Sequence, residues 1–208
     1  MKISVITNTE LKEELLAQGL ANDVQVEWLT EIIPVSGADF YIDLLFNAEE
    51  QRIDTLTKLQ PALVLVNAVT HTGDELPKNF IRINAWPTFL KRPLLEASGF
   101  DDTLKAKAEN CFSAFQKKVE WVPDIPGFIT PRVICMIINE AYFTLEEEVS
   151  SKPEIDTAMK LGTNYPYGPF EWSEKIGLKN VYDLLIKLAQ TNSRYEPSAL
   201  LKKEYLLT

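Results

Sequence analysis

The stretch Pro123-Asp124-Ile125-Pro126-Gly127 separates two parts of the sequence that have different periodicities. Before it, short apolar runs alternate with helical spacings. The clearest run, Ala62-Leu63-Val64-Leu65-Val66, suits a central parallel strand that is buried on both faces. After it, apolar residues recur only at helical spacing. The sequence therefore predicts an α/β domain with a mostly parallel sheet over residues 1–123 and an all-α domain over residues 124–208.

The first domain is predicted to contain six strands. They cover residues 2–6, 24–28, 40–45, 62–66, 80–83 and 118–122. A helix follows the first strand, because Leu11, Leu15, Leu16 and Leu20 share one helical face, and a second covers residues 49–59. Strands that alternate with helices form right-handed crossovers in a parallel sheet. Ligands bind beyond the carboxyl ends of such strands.

The second domain is predicted to contain five helices. The first is long, with apolar residues recurring at Ile134, Ile138, Ala141, Leu145 and Val149. The next begins near Ser151 and Pro153 and is expected to stop at Gly162. The remaining three cover residues 171–176, 178–190 and 198–206.

Composition excludes some classes of partner. The formal net charge is −9, which disfavours nucleic acid and leaves no polybasic patch for a membrane surface. The cysteines, Cys111 and Cys135, have no metal-binding spacing. The start, Met1–Thr7, is too short and too soon polar for a signal peptide, and no apolar run is long enough to cross a bilayer. We expect a cytoplasmic protein.

Several motifs in the second half keep a common order and spacing. They are Asp124-Ile125-Pro126-Gly127-Phe128-Ile129, Asn139-Glu140-Ala141, Ile155-Asp156-Thr157-Ala158-Met159-Lys160-Leu161-Gly162 and Gly168-Pro169-Phe170-Glu171. Together they resemble the C-terminal domain of the 3-hydroxyacyl-CoA dehydrogenase family. The resemblance implies a helical domain of the 6-phosphogluconate/3-hydroxyacyl-CoA dehydrogenase type that mediates a homodimer. It also implies a Rossmann-like NAD-binding domain, here shortened between its second and third strands, and a link to fatty-acid β-oxidation.

The cofactor motif implied by this resemblance is altered. Enzymes of the family hold a dinucleotide with G-x-G-x-x-G after the first strand, because glycines let the diphosphate approach the backbone. Thr7, Thr9 and Lys12 occupy those positions here, and Glu10 would repel the diphosphate. No cofactor is therefore predicted, and NAD is expected only if the chain is an active dehydrogenase.

The catalytic pair implied by the resemblance is a His followed twelve residues later by a Glu. Glu96 matches the Glu, and Asn84 stands where the His should be (96 − 84 = 12). A carboxamide cannot accept a proton near neutral pH. Losing a general base typically costs a factor of about 10²–10⁴ in rate.

Positions near the implied acyl pocket have also changed. A Ser of the family falls near Val69, and Pro131 stands where the family has an Asn. Trp86 either lines the pocket or packs in the core. His71 is the only histidine and follows the fourth strand, so it is either a relocated base or a solvated loop residue.

Three functional hypotheses remain open at this stage. The first is a catalytically impaired family member that binds an acyl-CoA or another thioester, or a partner subunit such as a full-length paralogue. The second is an active NAD-dependent dehydrogenase with a rebuilt site that uses His71 or Glu96. The third is a structural dimer that binds no small ligand.

Overall fold

The computed structural model describes residues 1–207. It separates into two compact units, Met1–Phe128 and Ile129–Thr208. The first unit contains the entire sheet, and the second contains only helices. The predicted fold class, an α/β part followed by an all-α part, is therefore confirmed.

The first unit is built on one seven-stranded sheet. Its strands are β1 (Lys2–Ile6), β2 (Gln25–Leu29), β3 (Phe40–Asp43), β4 (Leu63–Asn67), β5 (Phe80–Ile83), β6 (Leu94–Ser98) and β7 (Lys118–Trp121). They lie in the order β2-β1-β3-β4-β5-β6-β7. Only the β5–β6 pair is antiparallel. The order of β2 to β5 is the doubly wound dinucleotide-binding order without its third strand.

Helices cover both faces of this sheet, which explains its apolar strands. They are α1 (Thr9–Leu16), α2 (Glu50–Thr57) and α3 (Asp102–Ser113). Alternate residues of β4 enter opposite cores: Leu63 and Leu65 pack with α1 and α3, whereas Val64 and Val66 pack with α2. Burial on both faces is the reason for the near-continuous apolar run in that strand.

Two elements of the first unit differ from the sequence prediction. β6 (Leu94–Ser98) and α3 (Asp102–Ser113) were not predicted. β6 buries all of residues 95–98, Glu96 among them, and leaves Leu94 exposed, so the strand shows no alternation of buried apolar and exposed polar residues. The predicted helical face also included Leu20, but α1 ends at Leu16 and Leu20 is exposed.

The second unit contains five helices, as predicted. They are α4 (Thr130–Glu146), α5 (Lys152–Thr163), α6 (Pro169–Ile176), α7 (Leu178–Ala189) and α8 (Ala199–Tyr205). Val149 lies beyond the end of α4 and is exposed, so it does not share the apolar face of that helix. Gly162 lies inside α5, which ends instead at Asn164 in a left-handed conformation. Asn is the residue other than Gly that most readily adopts this geometry.

Polar motif residues of the second unit join its helices. The side chain of Asn139 donates to the carbonyl of Glu196 (2.9 Å) and accepts from the backbone N–H of Ser198 (2.9 Å). Asp156 accepts from the backbone N–H of Phe170 at the start of α6 (2.8 Å). These bonds satisfy backbone groups near helix ends, so the motifs have a structural role in this unit.

Candidate functional site

The carboxyl ends of β1, β3, β4 and β5 meet at one edge of the sheet. Asn67, the last residue of β4, connects its neighbours there. Its side chain donates to the carbonyl of Leu44 (3.1 Å) and accepts from the backbone N–H of Ala85 (3.0 Å). The segments that follow β3 and β5 are therefore held on either side of β4. Sequence analysis did not identify Asn67 as a site residue, although an Asn closing an apolar strand is a visible signal.

Asn84 and Glu96 are in direct contact at this edge. The Asn84 Nδ2 donates to Glu96 Oε2 at 3.0 Å, and the Asn84 backbone N–H donates to the Glu96 carbonyl at 2.9 Å. Both side chains are buried, at 1% and 5% exposure. The antiparallel pairing of β5 and β6, with Ile83 opposite Ala97, brings the two residues together. The carboxylate is thus bonded by an amide that cannot accept a proton.

A cavity of about 400 Å³ lies at the carboxyl end of β1, where the strand order reverses. Thr7, Thr9 and Lys12 line it together with Trp28. Lys12 Nζ lies 4.7 Å from the centre of the Trp28 ring, a cation–π contact. The structure therefore gathers the three residues that replace the glycines around one opening.

The residues around this cavity do not fit a dinucleotide held in the family's way. Asn8 caps α1, and its Oδ1 accepts from the Leu11 N–H at 2.9 Å. That donor is one of the first-turn N–H groups of the helix, which is where a diphosphate would bind. Glu10 adds a negative charge to the same turn. The cap, the acidic side chain and the two threonines all oppose a bound diphosphate.

The other predicted site residues lie in varied environments. Val69 and Trp86 are buried in the first unit, and the Val69 carbonyl accepts from the Gly127 N–H at 2.8 Å. His71 is partly exposed four residues after β4, and its Nδ1 lies 3.1 Å from Thr70 Oγ1. Pro131 is buried in the first turn of α4, in the second unit. Asn84 and Glu96 are two predicted site residues whose side chains the structure joins directly.

A buried charge near the carboxyl end of β5 was missed by sequence analysis. Arg82 forms an ion pair with Asp124, and its Nε donates to the Ala68 carbonyl at 3.2 Å. Asp124 also accepts from the Gly73 N–H at 2.7 Å. Burial lowers the pKa of Arg82, and the charge of Asp124 opposes that change. The signal was an Arg inside the apolar strand Phe80–Ile83, since such a residue is rarely buried without a partner.

A second buried ion pair stands at the end of β3. Asp43 accepts two hydrogen bonds from Arg52 of α2, each 2.7 Å long. Burial raises the pKa of Asp43, and the hydrogen bonds from Arg52 act in the opposite direction. The bidentate geometry indicates that the pair anchors α2 to the sheet.

The second unit has its own apolar groove, with a volume of about 360 Å³. The groove lies between α4 and α5, and its lining includes Ile137, Ala141, Ile155 and Met159. Within residues 1–207, no group of three or more His, Cys, Asp or Glu side chains could hold a metal ion. None of the helices in that range is both long and apolar enough to cross a membrane.

The chain is similar in sequence to several 3-hydroxyacyl-CoA dehydrogenases. The pattern of the 3-hydroxyacyl-CoA dehydrogenase C-terminal domain matches residues 127–206. The 3-hydroxybutyryl-CoA dehydrogenase of Bradyrhizobium diazoefficiens is 34% identical over 214 residues, which cover 95% of this chain and 72% of that protein. The 3-hydroxyadipyl-CoA dehydrogenase of Escherichia coli K12 is 37% identical over 133 residues. That match covers 57% of this chain but only 28% of the relative.

Solved structures show the same fold. The (S)-3-hydroxybutyryl-CoA dehydrogenase from Ralstonia eutropha matches with a TM-score of 0.75 and 17% sequence identity. The match covers 99% of this chain and 93% of that structure. At such low identity the likeness concerns the fold alone.

Proposed function

Because the chain belongs to the 3-hydroxyacyl-CoA dehydrogenase family, we propose that it is a catalytically impaired member that associates through its helical unit and retains a binding role toward acyl thioesters. The observation that carries this proposal is the buried bond between Asn84 and Glu96. It keeps the spacing of a catalytic pair but has an amide where proton transfer needs a base.

The N-terminus of α1 supports the same proposal. Hydride transfer needs a bound dinucleotide, whose diphosphate must reach free N–H groups at a helix start. Here Asn8 already accepts from one of these groups, and Thr7 and Thr9 carry side chains where glycines would allow close approach. Two separate requirements of the reaction are thus unmet.

The surface of the helical unit supports the association. Large apolar side chains are exposed along it, among them Ile129, Val133, Phe143 and Leu161. Exposed apolar surface of this kind commonly marks a protein interface. We propose that the chain forms a homodimer and that a full-length paralogue is its alternative partner. We also propose a cytoplasmic role linked to fatty-acid β-oxidation.

Steady-state turnover tests the proposed impairment. Purified protein is mixed with NADH and acetoacetyl-CoA, and NADH absorbance is followed. We expect no turnover near the usual range of about 1–10³ s⁻¹. The variant Asn84→His restores a base and is the matched control. We expect it to remain inactive, because the N-terminus of α1 still has the features that oppose a bound diphosphate. Turnover by the natural chain at dehydrogenase rates would contradict the proposal.

An active NAD-dependent dehydrogenase is the second candidate. The cavity of about 400 Å³ at the carboxyl end of β1, where the strand order reverses, favours this candidate, because dinucleotides bind at that place in this architecture. Trp28 lines the cavity, so a bound dinucleotide should change its fluorescence, and Trp28→Phe identifies its share of the signal from the four Trp residues. Quenching of this Trp and a thermal shift with millimolar NAD or NADH would support the second candidate over the first.

A titration with acetoacetyl-CoA separates a thioester-binding protein from a purely structural dimer. Binding heat without turnover is the result that we expect. The absence of heat, together with a stable dimer, would favour the structural alternative.

A further inference from the structure

One cavity of the second unit contains two arginine side chains beside an apolar wall. Its volume is about 410 Å³, within the range of about 300–1,000 Å³ that is usual for small-molecule sites. Arg132, in the first turn of α4, lines it together with Arg194 and Tyr195, which lie between α7 and α8. All of its lining residues belong to the second unit. We call it the arginine cavity.

Both guanidinium groups of the arginine cavity contact the same aromatic ring. The guanidinium carbon of Arg132 lies 5.4 Å from the centre of the Tyr195 ring, and that of Arg194 lies 4.9 Å from it. These are cation–π contacts, and they hold each guanidinium over the ring. The N–H groups that point away from the ring remain donors, and a guanidinium edge binds an oxyanion with two parallel hydrogen bonds.

The arginines of this cavity lack partners of opposite charge. Within residues 1–207, neither Arg132 nor Arg194 belongs to an ion pair. The Nε of Arg132 is buried and has no hydrogen-bond partner. Withdrawing a charged group from water costs free energy unless the group is paired, so the arrangement calls for an anion. The first turn of α4 has no acidic side chain, and the helix dipole adds to the positive potential there.

An apolar wall continues the cavity along α4. Val133, Met136 and Ile137 line it at helical spacings and are all at least partly exposed. Glu140, three residues beyond Ile137, is exposed and also belongs to the lining. From Arg132 to Glu140 the helix rises about 12 Å, at about 1.5 Å per residue. The lining therefore passes from a positive end over apolar side chains to a negative end.

We propose that the arginine cavity binds a free aliphatic monocarboxylate of medium chain length, that is, a fatty acid. The carboxylate pairs with Arg132 and Arg194, and the aliphatic chain packs on the apolar wall of α4. Glu140 at the far end repels a second carboxylate, which restricts the ligand to one acidic group. The inference goes beyond the proposed thioester binding, because this ligand carries a free carboxylate and no coenzyme.

Four ligands test the chemical class of the occupant. Isothermal titration calorimetry compares octanoate with acetate, octyltrimethylammonium and octanedioate. We expect saturable binding of octanoate with a Kd below about 1 mM. Acetate lacks the chain and octyltrimethylammonium has the opposite charge, so each should bind about tenfold more weakly or worse. Octanedioate should also bind more weakly than octanoate, because its second carboxylate approaches Glu140.

Charge variants test the location of the site. Arg194→Gln removes one exposed guanidinium, and Arg132→Lys keeps the charge but loses the planar edge, so each should raise the octanoate Kd about fivefold or more. Lys203→Gln removes an exposed cation on α8 and is the matched control, which should leave the Kd unchanged. Glu140→Gln should narrow the difference between octanoate and octanedioate. Circular dichroism of each variant checks that it is folded.

The possible outcomes separate this site from the proposed function. Octanoate that does not bind at millimolar concentration, or whose Kd ignores both arginine variants, would overturn the proposal. Val133 is also part of the apolar surface proposed for association, so the titrations are repeated at several protein concentrations. An affinity that falls as the protein associates would show that the partner covers the cavity, and it would overturn the proposal as well. Failure of acetoacetyl-CoA to bind would count against the thioester role alone.

Discussion

Removing the carboxylate of Asp124 should destabilise the first unit far more than removing a surface carboxylate. Asp124 pairs with Arg82, whose side chain is 1% exposed, and is itself only 15% exposed. It also accepts from the Gly73 N–H (2.7 Å) and the Ser98 hydroxyl (3.3 Å). Asp124→Ala therefore leaves the buried Arg82 without its opposite charge, and the Gly73 N–H and the Ser98 hydroxyl without this acceptor.

The magnitude follows from this burial. Breaking a buried pair by removing one partner costs about 3–5 kcal/mol, because the remaining charge stays desolvated. The surface pair Lys105–Asp102 is the matched control, since Asp102 is 95% exposed and exposed pairs contribute only about 0–1 kcal/mol. We expect Asp124→Ala to cost about 3–5 kcal/mol and Asp102→Ala to cost about 1 kcal/mol or less.

Urea unfolding followed by Trp fluorescence and circular dichroism measures both values. With a slope of about 1–3 kcal/mol per molar urea, a loss of about 3–5 kcal/mol in Asp124→Ala should lower the midpoint by about 1–5 M. Replacing both partners, as in Arg82→Met with Asp124→Leu, removes the uncompensated charge and should recover most of the loss. A loss below about 1 kcal/mol for Asp124→Ala, or a double variant as unstable as the single one, would refute the reasoning.

Three further predictions concern other parts of the chain. Gly168→Ala should destabilise the second unit by several kcal/mol in urea unfolding, because a Cβ there would collide with Asp156. The control Gly162→Ala, which adds a methyl group in open space inside α5, should be neutral or stabilise by about 0.5–1 kcal/mol. Burial lowers the pKa of Lys117 to about 8, below the value of about 10.4 in an unfolded chain. Between those two pH values only the unfolded chain keeps the proton, so the free energy of unfolding should rise with pH. Lys117→Met should flatten this rise in urea midpoints measured from pH 7 to 10. Asn8→Ala should cost about 1 kcal/mol of stability, and an unchanged urea midpoint would show that the cap at α1 is unimportant.

Much of the local structure could be predicted from residue patterns. Apolar runs and helical spacing identified six of the seven strands and all five helices of the second unit, because these patterns depend on neighbours within a few residues. The family resemblance paired Asn84 with Glu96, and the structure joins their side chains at 3.0 Å. The roles proposed for these two residues stay predictions.

Tertiary structure decided the features that depend on distant residues. β6 was missed because its buried Glu96 breaks the usual alternation, and only its pairing with β5 defines it as a strand. Arg82 and Asp124 lie 42 residues apart, so neither position alone indicates the pair. Residue types and spacing carried the family resemblance and predicted the order of elements, and that resemblance implied a histidine at the position of Asn84. Chain folding determined which buried charges meet, because burial and pairing arise only when remote segments pack together.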